Sequence, residues 1–198
     1  MSVNKTSVAE LRTEFGLQTR FPVLCTVGML VWREKVLGVE RLLESLAYAR
    51  ERLPSVVLLV VGDGGFRPML ESRARDLAVE DLVRFVGMVP NPAPFLHASD
   101  IICHISFRDS FAQSVREGMA AGKPVILNDS YDFPEPTEQW GLVKTTSNPE
   151  EIAETIFELA GDDNLREVLG KRGKSAVLAR YSWSETAKSF LRLYDLTA

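Results

Sequence analysis

Cysteine and histidine are scarce here, with two of each in 198 residues. Cys25 and Cys103 each fall inside an apolar run, which predicts buried free thiols rather than a disulfide or a metal site. His97 and His104 share no metal-ligand spacing with them, so no metal centre is expected. No apolar run reaches the length that spans a bilayer, and the polar start Met1–Ser7 is not a signal peptide. Excess positive charge is also missing. The formal net charge is −4, which argues against a general affinity for nucleic acid. No internal repeat, low-complexity tract or interdomain linker interrupts the chain, so it is read as one domain over residues 1–198. A cytoplasmic protein is expected.

What remains is ordinary globular material, 45% hydrophobic and 25% charged, long enough for a sizeable core. Ser7–Gly16 reads as a short helix, with Ser7 and Glu10 spaced as a capping box. Apolar runs of strand length follow at Phe21–Val27, Val56–Val61, Val83–Gly87, Ile101–Ile105 and Val125–Leu127. Between them lie helical patterns at Gly38–Leu53, Arg67–Leu77 and Pro90–His97, and Gly28 turns the chain into Met29–Leu37. Asp129–Trp140 reads as an irregular loop and Leu142-Val143 as a possible edge strand. Three amphipathic helices, Glu150–Ala160, Asn164–Arg180 and Ser182–Leu196, close the chain, with Asn148 and Ser182 as caps. Strands alternating with helices predict an α/β fold, a Rossmann-like doubly wound parallel sheet. Its ligands belong at the carboxyl edge, where the glycine turns fall.

Ile105–Asn128 carries the most chemistry. Phe111, Val115 and Met119 are spaced to make one apolar helix face, and Ala121-Gly122 ends the helix before the Val125 strand. At about 100° per residue, Glu117 lies roughly 120° from Phe111, on the flank of that face. Ser114 and Ala121 are small and leave room for a ligand along this flank. Asp109 stands at the helix amino end, where free N–H groups favour an anion. The bland alternative is a capping Asp and a solvated Glu. Two nucleotide motifs fail. Gly62-Asp63-Gly64 lacks the third glycine of a dinucleotide turn, because Arg67 holds that place. Gly122-Lys123 runs into Pro124 and is no P-loop.

The same turns resemble the donor-binding half of a GT-B glycosyltransferase, in the large retaining family numbered four. That family shows two glutamates eight apart, the first followed by Gly-Phe-Gly. Here Asp109-Ser110-Phe111-Ala112 occupies the first place, Glu117 the second, and Met119–Ile126 follows closely. Val27-Gly28-Met29, Lys35 with Gly38, Val61-Gly62-Asp63-Gly64, Phe85-Val86-Gly87 and Tyr181-Ser182-Trp183 extend the resemblance from about residue 8 to 195.

The resemblance implies one half of a GT-B fold that binds a nucleoside diphosphate sugar for retaining transfer of a hexosyl unit. Glu117 would bind the ribose and Asp109 a sugar hydroxyl. Amides of Phe111, Ala112 and Gln113 would face the sugar and phosphates. Lys35 and Arg33 would neutralise the diphosphate. The turns at Gly28, Gly62 and Gly87 would line the nucleotide, and backbone around Val86–Pro90, including Met88, would read the base. Asp63 is expected to shape its turn. No metal or other cofactor is implied. The acceptor would be held by an amino-terminal half in the same or another chain, and this chain is read as a fragment of a longer enzyme that would be inactive alone. Membrane association is left open.

Four departures stand against the pattern. Met29 replaces an arginine and cannot pair with a phosphate. Asp109 is shorter than Glu by about 1.5 Å. Ala112 replaces a glycine, and Tyr131-Asp132-Phe133 stands where Gly-Gly and Glu are usual. Met29, Asp109 and Ala112 motivate a second reading, a non-catalytic interaction domain that has lost donor chemistry. A nucleotide-sugar epimerase or a phosphorylase on the same fold fits the sequence less well.

Overall fold

In the computed structural model, which describes residues 7–107, 113–130 and 137–195, six parallel strands form one sheet. They are β1 (Val23–Val27), β2 (Val57–Val61), β3 (Val83–Gly87), β4 (Ile101–His104), β5 (Val125–Asn128) and β6 (Leu142–Thr145). Their spatial order is β3-β2-β1-β4-β5-β6. This is the Rossmann-like doubly wound sheet that the alternation of strands and helices predicts. The apolar runs read as central strands for a physical reason. Side chains alternate across a strand, so a strand covered on both faces must be apolar at every position. In β2, Val57, Leu59 and Val61 join one core while Leu58 and Val60 join the other, and all five are buried.

Helices α2 (Arg33–Ala49), α3 (Arg67–Asp76) and α6 (Pro149–Gly161) cover the Leu58 face through Leu42, Leu46, Leu70, Ile152 and Ile156. Helices α1 (Val8–Glu14), α4 (Ala93–Ala98) and α5 (Gln113–Ala120) cover the other through Leu11, Leu96, Val115 and Met119. Helix α7 (Asp163–Tyr181) packs on α5, and α8 (Trp183–Asp195) packs on α7. The chain moves outward from β1 to β3 and then returns to place β4 beside β1. That reversal puts the two sets of helices on opposite faces and opens a crevice at the carboxyl ends of β1 and β4.

Local signals hold where they are local. Ser7 Oγ accepts from Glu10 N at 3.1 Å while Glu10 accepts from Ser7 N at 2.8 Å, completing the capping box. Asn148 and Ser182 cap as expected, accepting from Glu150 N and Glu185 N. Cys25 and Cys103 are free and buried on neighbouring strands, and burial pushes the Cys25 thiol up to about 12 and raises that of Cys103. Among the described residues no helix is long and apolar enough to cross a membrane.

Other boundaries move. Helix α2 begins at Arg33 rather than Gly38 and ends at Ala49 rather than Leu53. Its buried stripe starts at Val36, ahead of the Gly38 start that the sequence suggests. Gly38 is therefore a glycine inside a helix, and its place has a tertiary cause. A Cβ there would sit 1.7 Å from the Ile105 carbonyl oxygen. Helix α4 starts at Ala93, after Pro92, not at Pro90. The suggested edge strand is real and longer, with Leu142–Thr145 paired to β5. The expected loop Asp129–Trp140 contains a 3-10 turn at Thr137–Trp140, with Trp140 buried.

Gly38→Ala would gain about 1 kcal/mol of helix propensity, but the contact with Ile105 outweighs it. A net loss of about 1–3 kcal/mol is expected, measured by urea unfolding. Gly65→Ala, where an added Cβ meets nothing within 4 Å, should change stability by less than about 0.5 kcal/mol. Equal stability of the two variants would contradict this account of α2.

Candidate functional site

Backbone contacts draw the carboxyl ends of β1 and β2 together. Gly28 N donates to Val61 O at 3.0 Å, and Gly62 N donates to Gly87 O at 2.9 Å. Gly62 has φ +136°, and a Cβ there would lie 1.9 Å from the Gly28 carbonyl oxygen. No other residue permits that approach. Leu30 N donates to Asp63 O at 2.9 Å, and Phe66 N donates to Leu30 O at 3.1 Å, so the two turns form one surface.

Asp63 shapes its turn, as the sequence suggests. Its Oδ1 accepts from Gly64 N at 2.8 Å and its Oδ2 from Arg67 Nη1 at 3.2 Å. Arg67, standing where a dinucleotide turn needs glycine, also donates to Glu71 and to Phe85 O. These partners, Glu71 first and then Asp63, hold the guanidinium above its ordinary range.

Gly28 is different in kind. Its φ is outside the left-handed region, and a Cβ there would meet only Lys35 Cδ, at 4.0 Å. Neither backbone strain nor packing demands a glycine. Its bare backbone lines a crevice of about 20 Å³ together with Met29, Lys35, His104 and Ser106. This crevice lies between the tips of β1 and β4, where the strand order reverses.

The opposite wall is pinned by side chains that sequence reading does not single out. Asn128 is fully buried at the end of β5, where its Oδ1 accepts from Ser106 N at 3.0 Å and its Nδ2 donates to Ser147 Oγ at 3.0 Å. Ser147 Oγ donates in turn to Asp129 at 3.2 Å. His104 Nδ1 is hydrogen-bonded to Ser114 Oγ at 3.1 Å, which ties β4 to α5. Phe107 N reaches Glu34 O at 3.4 Å, tying the same loop to the first turn of α2. A polar residue closing an apolar strand run, as Asn128 does, is the available sequence signal.

Glu117 lies on the flank of α5, half-buried, while Val115, Gly118 and Met119 are buried beneath it. Its Oε1 accepts from Gln113 Nε2 at 2.9 Å. With Ala121, Asn91, Pro92 and His97 it lines a cavity of about 190 Å³ between α4 and α5. The small residue Ala121 opens this cavity as expected, whereas Ser114 is engaged with His104.

The structure therefore brings Gly28 and Lys35 together in the crevice, joins Gly62 and Gly87 to it through backbone, and places Glu117 in a neighbouring cavity. Met88 is exposed beyond Gly87, and Gln113 is exposed on α5. Arg33 is exposed at the first position of α2 and does not line the crevice. Asp109, Phe111 and Ala112 lie outside the described residues, as does Tyr131-Asp132-Phe133. Among the described residues no three His, Cys, Asp or Glu side chains gather to hold a metal ion.

A model of the family described as glycosyl transferases group 1 matches residues 7–176. The lipopolysaccharide core biosynthesis glycosyltransferase LpsE of Rhizobium meliloti is 30% identical over 193 residues, covering 94% of this chain and 53% of that protein. The crystal structure of Anabaena HepE in complex with UDP superposes with a TM-score of 0.83 at 20% identity, covering 98% of this chain and 53% of HepE. The C-terminal domain of a glycosyl transferase group 1 family protein (LpcC) from Francisella tularensis gives 0.73 at 18% identity, covering 87% of this chain and 93% of that domain. The structural neighbours are GT-B glycosyltransferases, and the chain spans about half the length of the curated relatives it matches.

Asn128→Ala would leave the buried Ser106 N–H without its acceptor, at a cost of about 1–3 kcal/mol. Urea unfolding should show this loss, with a smaller one for Ser147→Ala. A change below about 0.5 kcal/mol in Asn128→Ala would contradict the role given to this network.

Proposed function

The chain belongs to the glycosyl transferases group 1 family, and from that membership we propose that it is the donor-binding half of a retaining family four enzyme. It binds a nucleoside diphosphate sugar and presents it to an acceptor held by an amino-terminal half. The observation that carries this reading is Gly28. A glycine with ordinary φ and open space at its Cβ position, beside a lysine at the topological switch point, suits close approach of a ligand to backbone. HepE, which shares the fold, was crystallised with UDP and with UDP-glucose.

The chemistry follows from charge. Departure of the nucleotide from the sugar builds negative charge on the diphosphate, and a cation fixed there lowers the barrier. Lys35 takes this role, with Arg33 completing it when the chain closes on its donor. Glu117 accepts hydrogen bonds from ribose hydroxyls, and the cavity it shares with α4 holds the ribose. Backbone of Val86–Pro90, including Gly87 and Met88, reads the base, and Gly62 carries the turn beneath the phosphates. Asp109 takes a sugar hydroxyl, and the amides of Phe111, Ala112 and Gln113 face the sugar and phosphates. Charge neutralisation by side chains and amides lets transfer proceed without a metal. Taken alone, residues 1–198 bind the donor but do not transfer the hexosyl unit, which needs an acceptor half, and the protein acts in the cytoplasm.

The position of Arg33 favours a second reading, a binding domain without donor chemistry. Met29 is 53% exposed at the place where the family resemblance implies an arginine, and Arg33 stands outside the crevice. Met29→Arg separates the two: donor chemistry gains affinity for a diphosphate from it, whereas a domain that has lost the chemistry gains none.

Calorimetry with UDP, GDP and ADP and their sugars should find binding by at least one. Glu117→Ala should weaken that ligand by tenfold or more, about 1.4 kcal/mol. Gly28→Ala should also lose binding while unfolding within about 0.5 kcal/mol of wild type. No binding by any of them, or binding untouched in Glu117→Ala, removes the proposal.

A further inference from the structure

Ser106 shares the crevice with Gly28, Lys35 and His104. It is 2% exposed, and its N–H is held by Asn128 at 3.0 Å, so its backbone cannot swing away. Its Oγ is buried and has no hydrogen-bond partner among the described residues. A hydroxyl in that state has given up water without a replacement, which is costly and uncommon.

The surroundings say what the partner is. About 20 Å³ of space is room for one oxygen-sized atom. Lys35 lines the same space and supplies donors with positive charge but no acceptor. A serine hydroxyl donates one hydrogen. A hydroxyl and a cationic side chain lining space for a single atom favour an anionic oxygen over a neutral group there, because a charged acceptor makes the stronger hydrogen bond. The bare backbone at Gly28 leaves the path to that position unobstructed by a side chain of its own.

We infer that Ser106 Oγ donates a hydrogen bond to one anionic oxygen of the bound ligand. On the donor-binding proposal, on which this inference rests, that atom is a non-bridging oxygen of the diphosphate. Ser106 is then a positioning residue. It fixes the diphosphate against Gly28 and Lys35, and Asn128 fixes Ser106.

The test compares wild type and Ser106→Ala against UDP and uridine, the latter followed by NMR line broadening because nucleosides bind weakly. GDP with guanosine, or ADP with adenosine, replaces the pair if wild type selects another base. Ser106→Ala should bind the diphosphate tenfold or more weakly, bind the nucleoside unchanged, and unfold without ligand at no lower urea concentration than wild type. Equal weakening of diphosphate and nucleoside, unchanged diphosphate affinity, or a loss of unliganded stability without selectivity would each overturn the inference. In those outcomes the wild-type affinity still upholds donor binding. Failure of wild type to bind any of the three diphosphates overturns both.

Discussion

A Cβ on Gly62 would stand 1.9 Å from the Gly28 carbonyl oxygen, one on Gly64 2.3 Å from that of Leu30, and one on Gly38 1.7 Å from that of Ile105. At these three points backbone lies directly on backbone, and the edge of the sheet takes its shape from them. The first two fuse the turns after β1 and β2 into one surface. The third lets α2 approach the end of β4, which carries Lys35 to the crevice between β1 and β4. Sheet order creates an opening at that place, and the glycine contacts keep it narrow. A ligand there meets main chain on one side and the stem of Lys35 on another.

Charge around the crevice is arranged by pairing rather than by excess. Asp63 sits in the turn that packs on Gly28, where a lone carboxylate would oppose an anionic ligand. Arg67 donates to that carboxylate and to Glu71, neutralising both from the following helix. A net charge of −4 is thus compatible with a cationic side chain at the crevice, since Asp63 and Glu71 are paired with Arg67. The polar ring of Asn128, Ser147 and Asp129 works differently. It binds the loop after β4 to the ends of β5 and β6 and so sets where Ser106 lies.

How much of this could be read from sequence follows the range of each interaction. The capping box at Ser7 and the turn role of Asp63 depend on neighbours within four residues, and they were legible. Burial of Cys25 and Cys103 follows from apolar runs that need cover on both faces, and the flank position of Glu117 follows from helical geometry. The start of α2 was not legible, because a glycine reads as a break unless its contact with Ile105 is known. Asn128 looked like the end of a strand, and nothing local says that its amide reaches Ser106 and Ser147. Sequence spacing tests His104 only against metal ligation, whereas its Nδ1 is hydrogen-bonded to a serine of α5 brought near by the β4–α5 packing. Sequence places residues on elements, and the contacts between loops decide which of them share a cavity.

The most direct test of the account is a backbone amide NMR titration of this chain with the nucleoside diphosphate it binds. The largest shifts should fall on Gly28, Lys35 and Ser106, with a second group at Glu117 and its neighbours on α4. Shifts confined to another surface, such as the groove between Arg52 and Glu154 on α6, would contradict the claim that the diphosphate lies against the β1/β4 crevice.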